Sequence, residues 1–225
     1  MKNCIITGAS RGVGMALAQQ LYTKRYGLGL VARTFDNDSL PENNSTVYKY
    51  RYDISKVDQT LKFCERVKQD FETVDILINN VGFNTHKTRI EDFGLQEYSD
   101  IIDLNLKSHF YITNQLLPIM QQQQSGHIIN ICGGIAYQLK EDWAPYASAK
   151  SGMIAFSRIL SKECIPHKIK VTTIIPCGIE TTFHDGPRPN YMSAESVASM
   201  IVMAVEAPDD LVVHELILKP LEEIC

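Results

Sequence analysis

A tyrosine and a lysine four residues apart, Tyr146 and Lys150, are the residues of this chain best suited to acid–base chemistry. On a helix, residues at this spacing share one face and lie one turn apart. An ammonium beside a phenol stabilises the phenolate, so Lys150 is expected to lower the pKa of Tyr146 toward neutrality. The alternative is a solvated pair on an ordinary helix, and the surrounding elements must decide between the two.

The elements around this pair support the first interpretation. Pro145 is a favourable first residue for a helix, and Pro166 marks the end of one, which predicts a helix over 145–164. Both Tyr146 and Lys150 then lie in its first turns, just after a predicted strand over 127–132.

A glycine-rich turn near the N-terminus is suited to holding a phosphate. The apolar run Cys4-Ile5-Ile6-Thr7 is followed by Gly8-Ala9-Ser10-Arg11-Gly12-Val13-Gly14 and then by a helical pattern. Glycines allow a tight turn and close approach of a ligand to the backbone, and a helix N-terminus presents free N–H groups to an anion. Strand, turn and helix in this order are typical of dinucleotide binding, the alternative being a plain glycine-rich connection.

Two arginines favour NADP over NAD as the dinucleotide. Arg33 follows the second predicted strand, where an acidic residue would bind the ribose 2′-hydroxyl and an arginine accommodates a 2′-phosphate. Arg11 lies within the glycine turn, and no Asp or Glu occurs between Gly14 and Arg33. Asp36 is the nearby residue that weighs against this interpretation, and either arginine alone is also compatible with a solvated surface charge.

Strands and helices alternate along the whole chain. The predicted strands are 4–7, 28–32, 47–52, 74–78, 127–132, 169–175 and 211–218. The predicted helices are one from the glycine turn to near Gly27, then 56–71, 95–120, 145–164 and one that starts at Ser193. This order predicts an α/β fold with a doubly wound parallel seven-stranded sheet (a Rossmann fold) in a single domain, 1–225, with its ligands beyond the carboxyl ends of the strands.

Asn105 is an unusual residue in the middle of the predicted 95–120 helix. Its neighbours Ile101, Ile102, Leu104 and Leu106 are apolar, and a buried asparagine must find hydrogen bonds. A satisfied core amide, a helix kink and a functional side chain all remain open.

Composition excludes several classes of function. The net charge of −4 in 225 residues does not favour nucleic acid or an anionic membrane as a partner. The N-terminus reaches Gly8 too soon for a signal peptide, and no apolar run approaches the length of a membrane span. The six cysteines are scattered without zinc spacing, which predicts reduced thiols, no metal site and a cytoplasmic protein.

Taken together, the motifs resemble those of the short-chain dehydrogenase/reductase family over nearly the whole length of the chain. The matching residues are Thr7 to Gly14, Asp53, Asn79-Asn80-Val81-Gly82, Asn105, Tyr146 with Lys150, and Pro176 with Thr181. They occur in family order and at family spacing.

The resemblance implies an NADPH-dependent reductase of a small-molecule ketone, with three catalytic residues. Tyr146 is then the proton donor, Lys150 lowers the tyrosine pKa and binds the nicotinamide ribose, and Asn105 holds a water of a proton relay. The implied cofactor-binding residues are Gly8, Ser10, Arg11, Gly12, Val13, Gly14, Arg33, Asp53, Ile54, Asn79, Val81, Gly82, Tyr146, Lys150, Pro176, Ile179 and Thr181.

Two departures from the family pattern concern the active site. The family's catalytic serine, 13 residues before the tyrosine, corresponds to Gly133, and no hydroxyl replaces it. A preorganised donor of that kind is worth on the order of 10²–10³ in rate. Strand alternation directs the neighbouring Cys132 to the opposite face. Cys177 stands where a glycine usually follows Pro176.

The missing serine leaves other functions open, namely another reaction at the same cleft (dehydration, isomerisation or cyclisation) and NADPH binding without catalysis. The resemblance also implies a homodimer or homotetramer built on the helices near 95–120 and 145–164. Substrate choice depends on loops 83–94, 134–144 and 181–192, where Tyr137, Trp143 and Phe183 are candidate lining residues. The short connection from Thr181 to Ser193 suggests an open site or a bulky substrate.

Overall fold

Seven parallel strands form one sheet in the computed structural model of the protein, which describes residues 1–35, 40–41, 46–181 and 189–221. The strands of the sheet are β1 (Asn3–Thr7), β2 (Gly27–Ala32), β3 (Val47–Arg51), β4 (Ile76–Asn79), β5 (Gly126–Ile131), β6 (Ile169–Pro176) and β9 (Glu215–Leu218). Their order across the sheet is β3-β2-β1-β4-β5-β6-β9, and β7 (Ile179–Glu180) pairs separately with β8 (Met192–Ser193). The order reverses between β1 and β4, which is where a doubly wound sheet opens a crevice for ligands. The predicted fold class is confirmed.

Helices cover both faces of the sheet. They are α1 (Gly12–Thr23), α2 (Val57–Asp70), α3 (Leu95–Ile102), α4 (Ser108–Gln123), α5 (Ile135–Gln138), α6 (Ala144–Cys164) and α7 (Ala194–Val205), with short 3₁₀ turns at Ile90–Asp92 and Ile165–His167.

Alternation along the strands divides the core into two layers. In β1, Cys4 and Ile6 pack on the side of α1 and α7, whereas Ile5 packs on the side of α2, α4 and α6. Strands buried on both faces are typical of parallel sheets, which explains the continuous apolar runs in the sequence. The layers hold the carboxyl ends of the strands in fixed positions at one edge.

The predicted 95–120 helix is interrupted. The segment Asp103–Lys107 forms one π turn between α3 and α4, and Asn105 lies at its centre. A π turn inserts one residue into the helical repeat, and such turns are frequent at functional sites. The kink that the sequence left open at Asn105 is therefore present.

Several predicted boundaries were wrong by a few residues. Helix α1 ends at Thr23 rather than near Gly27, because Arg25 has a left-handed φ of 64° and Gly27 already begins β2. The last strand is limited to Glu215–Leu218, since only this part pairs with β6. Among the described residues, no helix has both the length and the apolarity needed to cross a membrane.

Candidate active site

The glycine turn after β1 has backbone angles and close contacts that a side chain at its glycine positions would disturb. Gly8 and Gly12 have φ values of +66° and +54°. A Cβ on Gly14 would lie 2.3 Å from the carbonyl oxygen of Gly8, so the first turn of α1 folds directly over the end of β1. The backbone of this turn therefore requires glycine, and phosphate binding at the N-terminus of α1 stays a prediction.

Asn80 and Thr7 bind the glycine turn to the end of β4. The Nδ2 of Asn80 donates to the carbonyl oxygens of Thr7 and Gly8 at 2.8 and 3.2 Å. In return, the backbone N–H groups of Asn80 and Val81 donate to Thr7 Oγ1 at 2.9 and 3.0 Å. Neighbouring strand ends are thereby held together as one rigid edge. The sequence named the motif but assigned no part to the side chain of Asn80 or to Thr7.

Asn79 does not present its side chain to the cleft, contrary to the role predicted for it. It is fully buried, and its Nδ2 donates to Thr113 Oγ1 at 3.0 Å and to Asn130 Oδ1 at 2.9 Å. Asn130 in turn donates to Ser157 Oγ at 2.8 Å. Consecutive residues of a strand point to opposite faces, so Asn79 serves the core and Asn80 serves the turn.

A buried histidine that sequence reasoning missed holds the same turn from below. His109 on α4 lies 3.0 Å from the carbonyl oxygen of Val81 through its Nε2, which must carry the proton because a carbonyl only accepts. Within the described structure, its buried Nδ1 has no hydrogen-bond partner. Burial first, and then the charge of Lys150, lower the pKa of His109 to about 3, so it is neutral at physiological pH.

The Asn105 amide fixes the backbone after Gly82. Its Nδ2 donates to the carbonyl oxygens of Phe83 and Ile101 at 2.6 and 2.9 Å, and its Oδ1 accepts from the Phe83 N–H at 3.1 Å. Both amide hydrogens are thus committed to backbone carbonyls. Asn105 is a satisfied core amide that positions the substrate loop, and the relay role predicted for it is not tested by these contacts.

Tyr146 and Lys150 share one face of α6, as predicted. The Lys150 ammonium lies 5.7 Å from the centre of the Tyr146 ring and donates to the carbonyl oxygen of Ile131 at 3.3 Å. A Cβ on Gly82 would lie 3.6 Å from Lys150 Nζ and 3.5 Å from Asn105 Oδ1, so these two groups converge beside position 82.

Burial dominates the titration of this pair. It lowers the pKa of Lys150 to about 8, and it raises the pKa of Tyr146 above its ordinary value. The pKa of Tyr146 thus shifts in the direction opposite to the predicted one, and the largest cause is the removal of the phenolate from water. Tyr146 is therefore protonated at neutral pH, the form that donates a proton.

Gly133 lies directly beside the reactive end of Tyr146. A Cβ at position 133 would have a single neighbour within 4 Å, the Tyr146 hydroxyl oxygen at 3.7 Å. The distance places position 133 where a side chain would share a substrate oxygen with Tyr146. Nothing in the packing excludes a serine there.

The adjacent Gly134 is a glycine for a different reason. A Cβ on Gly134 would lie 2.4 Å from Cys177 Sγ and 3.1 Å from Cys177 Cβ, while the Gly134 N–H donates to the carbonyl oxygen of Pro176 at 3.0 Å. Cys132 is buried in the core beside Met153 and Ile175. The thiol of Cys177 thus occupies the volume of a side chain at position 134, so Gly134 and the departure at Cys177 form one packing arrangement.

The remaining predicted cofactor residues follow the same edge of the sheet. Arg11 and Arg33 are exposed, and Ser10 is half-buried. Asp53 Oδ1 accepts from the backbone and the hydroxyl of Ser55 at 3.0 and 2.7 Å, a turn at the start of α2. Two further predicted residues, Val13 and Ile54, are buried core residues.

The end of β6 reaches across to the glycine turn. Pro176 is the last residue of β6, Gly178 has a φ of +75°, and Ile179 pairs with Met192. A Cβ on Gly12 would lie 3.3 Å from Thr181 Cγ2, so Thr181 closes the cleft against the glycine turn.

The residues suggested to line a substrate pocket lie in different parts of the structure. Trp143 lies against Tyr146, with ring centroids 5.9 Å apart. Tyr137 instead donates to Glu215 Oε2 at 3.0 Å and accepts from Arg158, at the far side of α5. Phe183 lies outside the described residues.

These features define one cleft at the carboxyl edge of a doubly wound sheet. The glycine turn lies at one end, and a protonated tyrosine beside a lysine lies at the other. The positive φ of two glycines, the exposed arginines and the space at Gly82 fit an extended nucleotide cofactor. The class they define is that of nicotinamide-dependent oxidoreductases with a Rossmann fold.

Comparison with known proteins gives the family. The model of the short chain dehydrogenase family matches residues 2–191, and the chain belongs to this family of oxidoreductases. An uncharacterized oxidoreductase of Staphylococcus epidermidis is 28% identical over 227 residues, covering 97% of each chain. An uncharacterized oxidoreductase of Staphylococcus aureus strain MRSA252 is 26% identical over 225 residues, again with 97% of each chain covered.

Solved structures share the fold. An alcohol dehydrogenase of the archaeon Thermococcus sibiricus, complexed with 5-hydroxy-NADP, has a TM-score of 0.89 at 24% identity and covers 100% of this chain and 99% of its own. A 3-ketoacyl-(acyl-carrier-protein) reductase of Brucella melitensis, complexed with NADH, has a TM-score of 0.91 at 20% identity and covers 99% and 98%. Both cofactor forms therefore occur among its structural neighbours.

Proposed function

We propose that the protein is an NADPH-dependent reductase that converts a ketone of a small molecule into an alcohol. The observation that carries the proposal is the enclosed pair on α6, in which Tyr146 is kept protonated and Lys150 Nζ lies 5.7 Å from its ring. The pair lies near Gly82, at the same edge of the sheet as the glycine turn. One extended cofactor can therefore reach both the pair and the turn.

The chain's residues supply the proton chemistry of this reaction. When bound, the reduced nicotinamide supplies the hydride for the carbonyl carbon. Tyr146 Oη gives its proton to the carbonyl oxygen, and the electron pair of the broken O–H bond stays on Tyr146 as a phenolate. Lys150 stabilises that phenolate in its charged form, and the proton lost from Tyr146 is replaced from solvent.

The preference for NADPH is supported by two exposed cations. Arg11 lies in the glycine turn and Arg33 directly follows β2, on either side of the place where an adenosine ribose meets a Rossmann sheet. Exchange of Arg33 for aspartate (Arg33→Asp) should weaken NADPH binding and improve NADH binding, measured as dissociation constants for both cofactors. Unchanged NADPH affinity would contradict the role of Arg33.

Turnover of carbonyl compounds tests the proposal itself. Oxidation of NADPH is followed with a panel of ketones and diketones, and Tyr146→Phe should reduce kcat by about 10²–10⁴-fold. Tight NADPH binding without turnover of any carbonyl refutes reduction. It would support the second candidates, a different reaction or NADPH binding without catalysis, which the absent side chain at Gly133 favours.

The pH dependence of reduction should follow Lys150. Its pKa is lowered to about 8 by burial, so the ammonium is present below this pH and is lost as the pH rises through it. We expect kcat/KM for ketone reduction to fall as the pH rises above about 8, whereas a tyrosine with a raised pKa stays protonated there. A kcat/KM that keeps rising through that range would contradict the assignment.

We further propose a homodimer or homotetramer, supported by apolar side chains on the outer surfaces of α4 and α6. Phe110 is 48% exposed and packs edge-on against Phe156, with centroids 5.8 Å apart, and Ile159 is 58% exposed. Phe110→Asp should shift the mass measured by light scattering toward the monomer. A single catalytic domain over 1–225 and a cytoplasmic location belong to the same proposal, and Cys4, Cys64, Cys132 and Cys164 are buried thiols.

A further inference from the structure

The loop between Phe83 and Gly94 carries three basic side chains at the substrate end of the cleft, and two of them are already paired. His86 Nδ1 lies 3.1 Å from Glu97 Oε1, and its ring stacks on Phe93. Arg89 Nε donates to Glu91 Oε1 at 2.8 Å. The third cation, Lys87, has a different environment.

Lys87 lies over an aromatic ring instead of beside an acid. Its Nζ is 5.4 Å from the centre of the Trp143 ring, and that ring is 5.9 Å from the ring of Tyr146. The ammonium can therefore be no farther from the Tyr146 ring than these two distances added together. Lys87 and Tyr146 therefore both lie against the Trp143 ring.

A backbone hydrogen bond joins the two loops that carry Lys87 and Trp143. The N–H of Thr88 donates to the carbonyl oxygen of Asp142 at 3.1 Å and thereby joins the loop of Lys87 to the loop of Trp143. The position of the ammonium over the indole thus follows from the packing of two loops and not from the side chain alone.

Acidic residues lie close in sequence to the indole but do not neutralise Lys87. Glu141 and Asp142 immediately precede Trp143, and within the described part of the chain neither forms an ion pair with Lys87. A cation over an indole is worth about 0.5–1 kcal/mol at an exposed site. A ligand anion that accepts hydrogen bonds from the ammonium makes a stronger, charge-assisted contact.

We propose that Lys87 is a specificity-determining residue that binds a carboxylate or similar anionic group of the carbonyl substrate. The substrate class is then a keto acid whose charged group lies several bonds from the ketone, across the face of Trp143 from Tyr146. This inference rests on the proposed function, since it takes the ketone to be held at Tyr146. The open space beside Gly133 leaves room for the substituent that joins the two groups.

Trp143 makes the inference measurable without turnover, because it is the single tryptophan of the chain. The protein is saturated with NADP⁺ and titrated at constant ionic strength with pyruvate, acetoacetate and levulinate, whose carboxylates lie progressively farther from the ketone. Each acid is compared with its methyl ester, and tryptophan fluorescence reports binding beside Lys87. Acetate serves as the control for adventitious anion binding.

At least one keto acid should bind about 5-fold more tightly than its ester, the scale of one favourable exposed ion pair. Lys87→Gln should remove this difference, Lys87→Arg should retain it, and Arg89→Gln, which changes a neighbouring cation already paired with Glu91, should leave it unchanged. Equal binding of acids and esters overturns the inference. So does a difference that survives Lys87→Gln, a response that acetate reproduces, or the absence of any response to the acids.

The two proposals fail separately. Charge-selective binding in the fluorescence titration, combined with no oxidation of NADPH by any carbonyl, would refute reduction and retain the anion site. Turnover of neutral ketones with no preference for the acids would retain reduction and remove the role of Lys87.

Discussion

Glycines occur in both turns that border the cleft, after β1 and after β5, but the two turns need them differently. In the first turn, Gly8 adopts a left-handed φ of +66°, and a Cβ on Gly14 would lie 2.3 Å from a backbone oxygen. That oxygen belongs to the backbone at the end of β1 and cannot move without disrupting the strand. The backbone itself therefore requires glycine in this turn.

In the second turn, the two adjacent glycines have different causes. Gly134 is excluded from having a side chain by the thiol of Cys177, whereas Gly133 has open space and only the Tyr146 hydroxyl nearby. Among the described residues neither packing nor a left-handed backbone requires glycine at 133, so a substitution there tests the chemistry at Tyr146 with little change in packing. The comparison separates a glycine that builds the fold from one that alters the site.

The largest effect is expected where the backbone requires glycine. Gly14→Ala forces a Cβ against the Gly8 carbonyl and Asn80 Nδ2, and it should lower the free energy of unfolding by roughly 3 kcal/mol and abolish NADPH binding. Urea denaturation with and without NADPH measures both. Gly94→Ala is the matched control, because its Cβ would have no neighbour closer than 3.7 Å. A stable Gly14→Ala protein that binds NADPH would contradict the statement that the backbone of the first turn requires glycine.

Two buried histidines make the stability of the fold sensitive to acid. His109 holds Val81, and His127 lies 2.7 Å from Thr172 Oγ1, with burial lowering their pKa values to about 3 and about 4. Below their ordinary pKa of 6.5 the unfolded chain takes up protons that the folded chain does not, so stability is full above that pH and falls as the pH decreases. The slope approaches about 1.4 kcal/mol per pH unit for each histidine.

Denaturation by urea at several pH values between about 7 and 5 tests this, and we expect a loss of about 4 kcal/mol over the range for the two histidines together. His127→Gln should flatten the curve. His109→Gln should do the same and should also weaken NADPH binding, since it alters the support of Val81. Identical curves for the wild type and both variants would show that other groups cause the acid sensitivity.

The sequence predicted the frame of the cleft well and its interior less well. All seven strands were predicted because parallel strands buried on both faces read as short apolar runs between turn residues. The π turn at Asn105 was not predicted as such, because the apolar repeat of α3 continues into α4 without a glycine or proline to mark the break. A one-residue insertion in a helix leaves almost no compositional trace.

The site residues divide in the same way. Tyr146 and Lys150 share a helix, so their spacing alone placed them on one face. Asn79 was expected at the cleft and Asn80 was given no role, because the end of a strand decides which of two neighbours faces the core and that boundary is the least certain part of a pattern. Lys87 and Trp143 meet because two loops that are far apart in the sequence pack together. No local sequence pattern predicts such a contact.

Gly134→Ala should have a moderate effect, and a second substitution should reverse it. The new Cβ would lie 2.4 Å from Cys177 Sγ, so we expect a loss of about 2 kcal/mol in the free energy of unfolding. In Gly134→Ala/Cys177→Gly the obstructing thiol is gone, and the double variant should regain about 1 kcal/mol or more relative to Gly134→Ala. Additive losses in this cycle would show that the two positions are not one packing arrangement.

Gly133→Ser should have the smallest effect on stability, within about 0.5 kcal/mol of the wild type, because the added Cβ has one neighbour, at 3.7 Å. Its effect should instead appear in catalysis. A serine hydroxyl beside Tyr146 supplies a second hydrogen-bond donor to the substrate oxygen, and kcat for neutral ketones should rise about 10-fold or more. Gly133→Ala adds the same Cβ without the hydroxyl and should not raise kcat, which separates hydrogen bonding from packing. If the two variants behave alike, the native substrate does not use a donor at this position, and Gly133 provides room for the substrate instead of lacking a catalytic group.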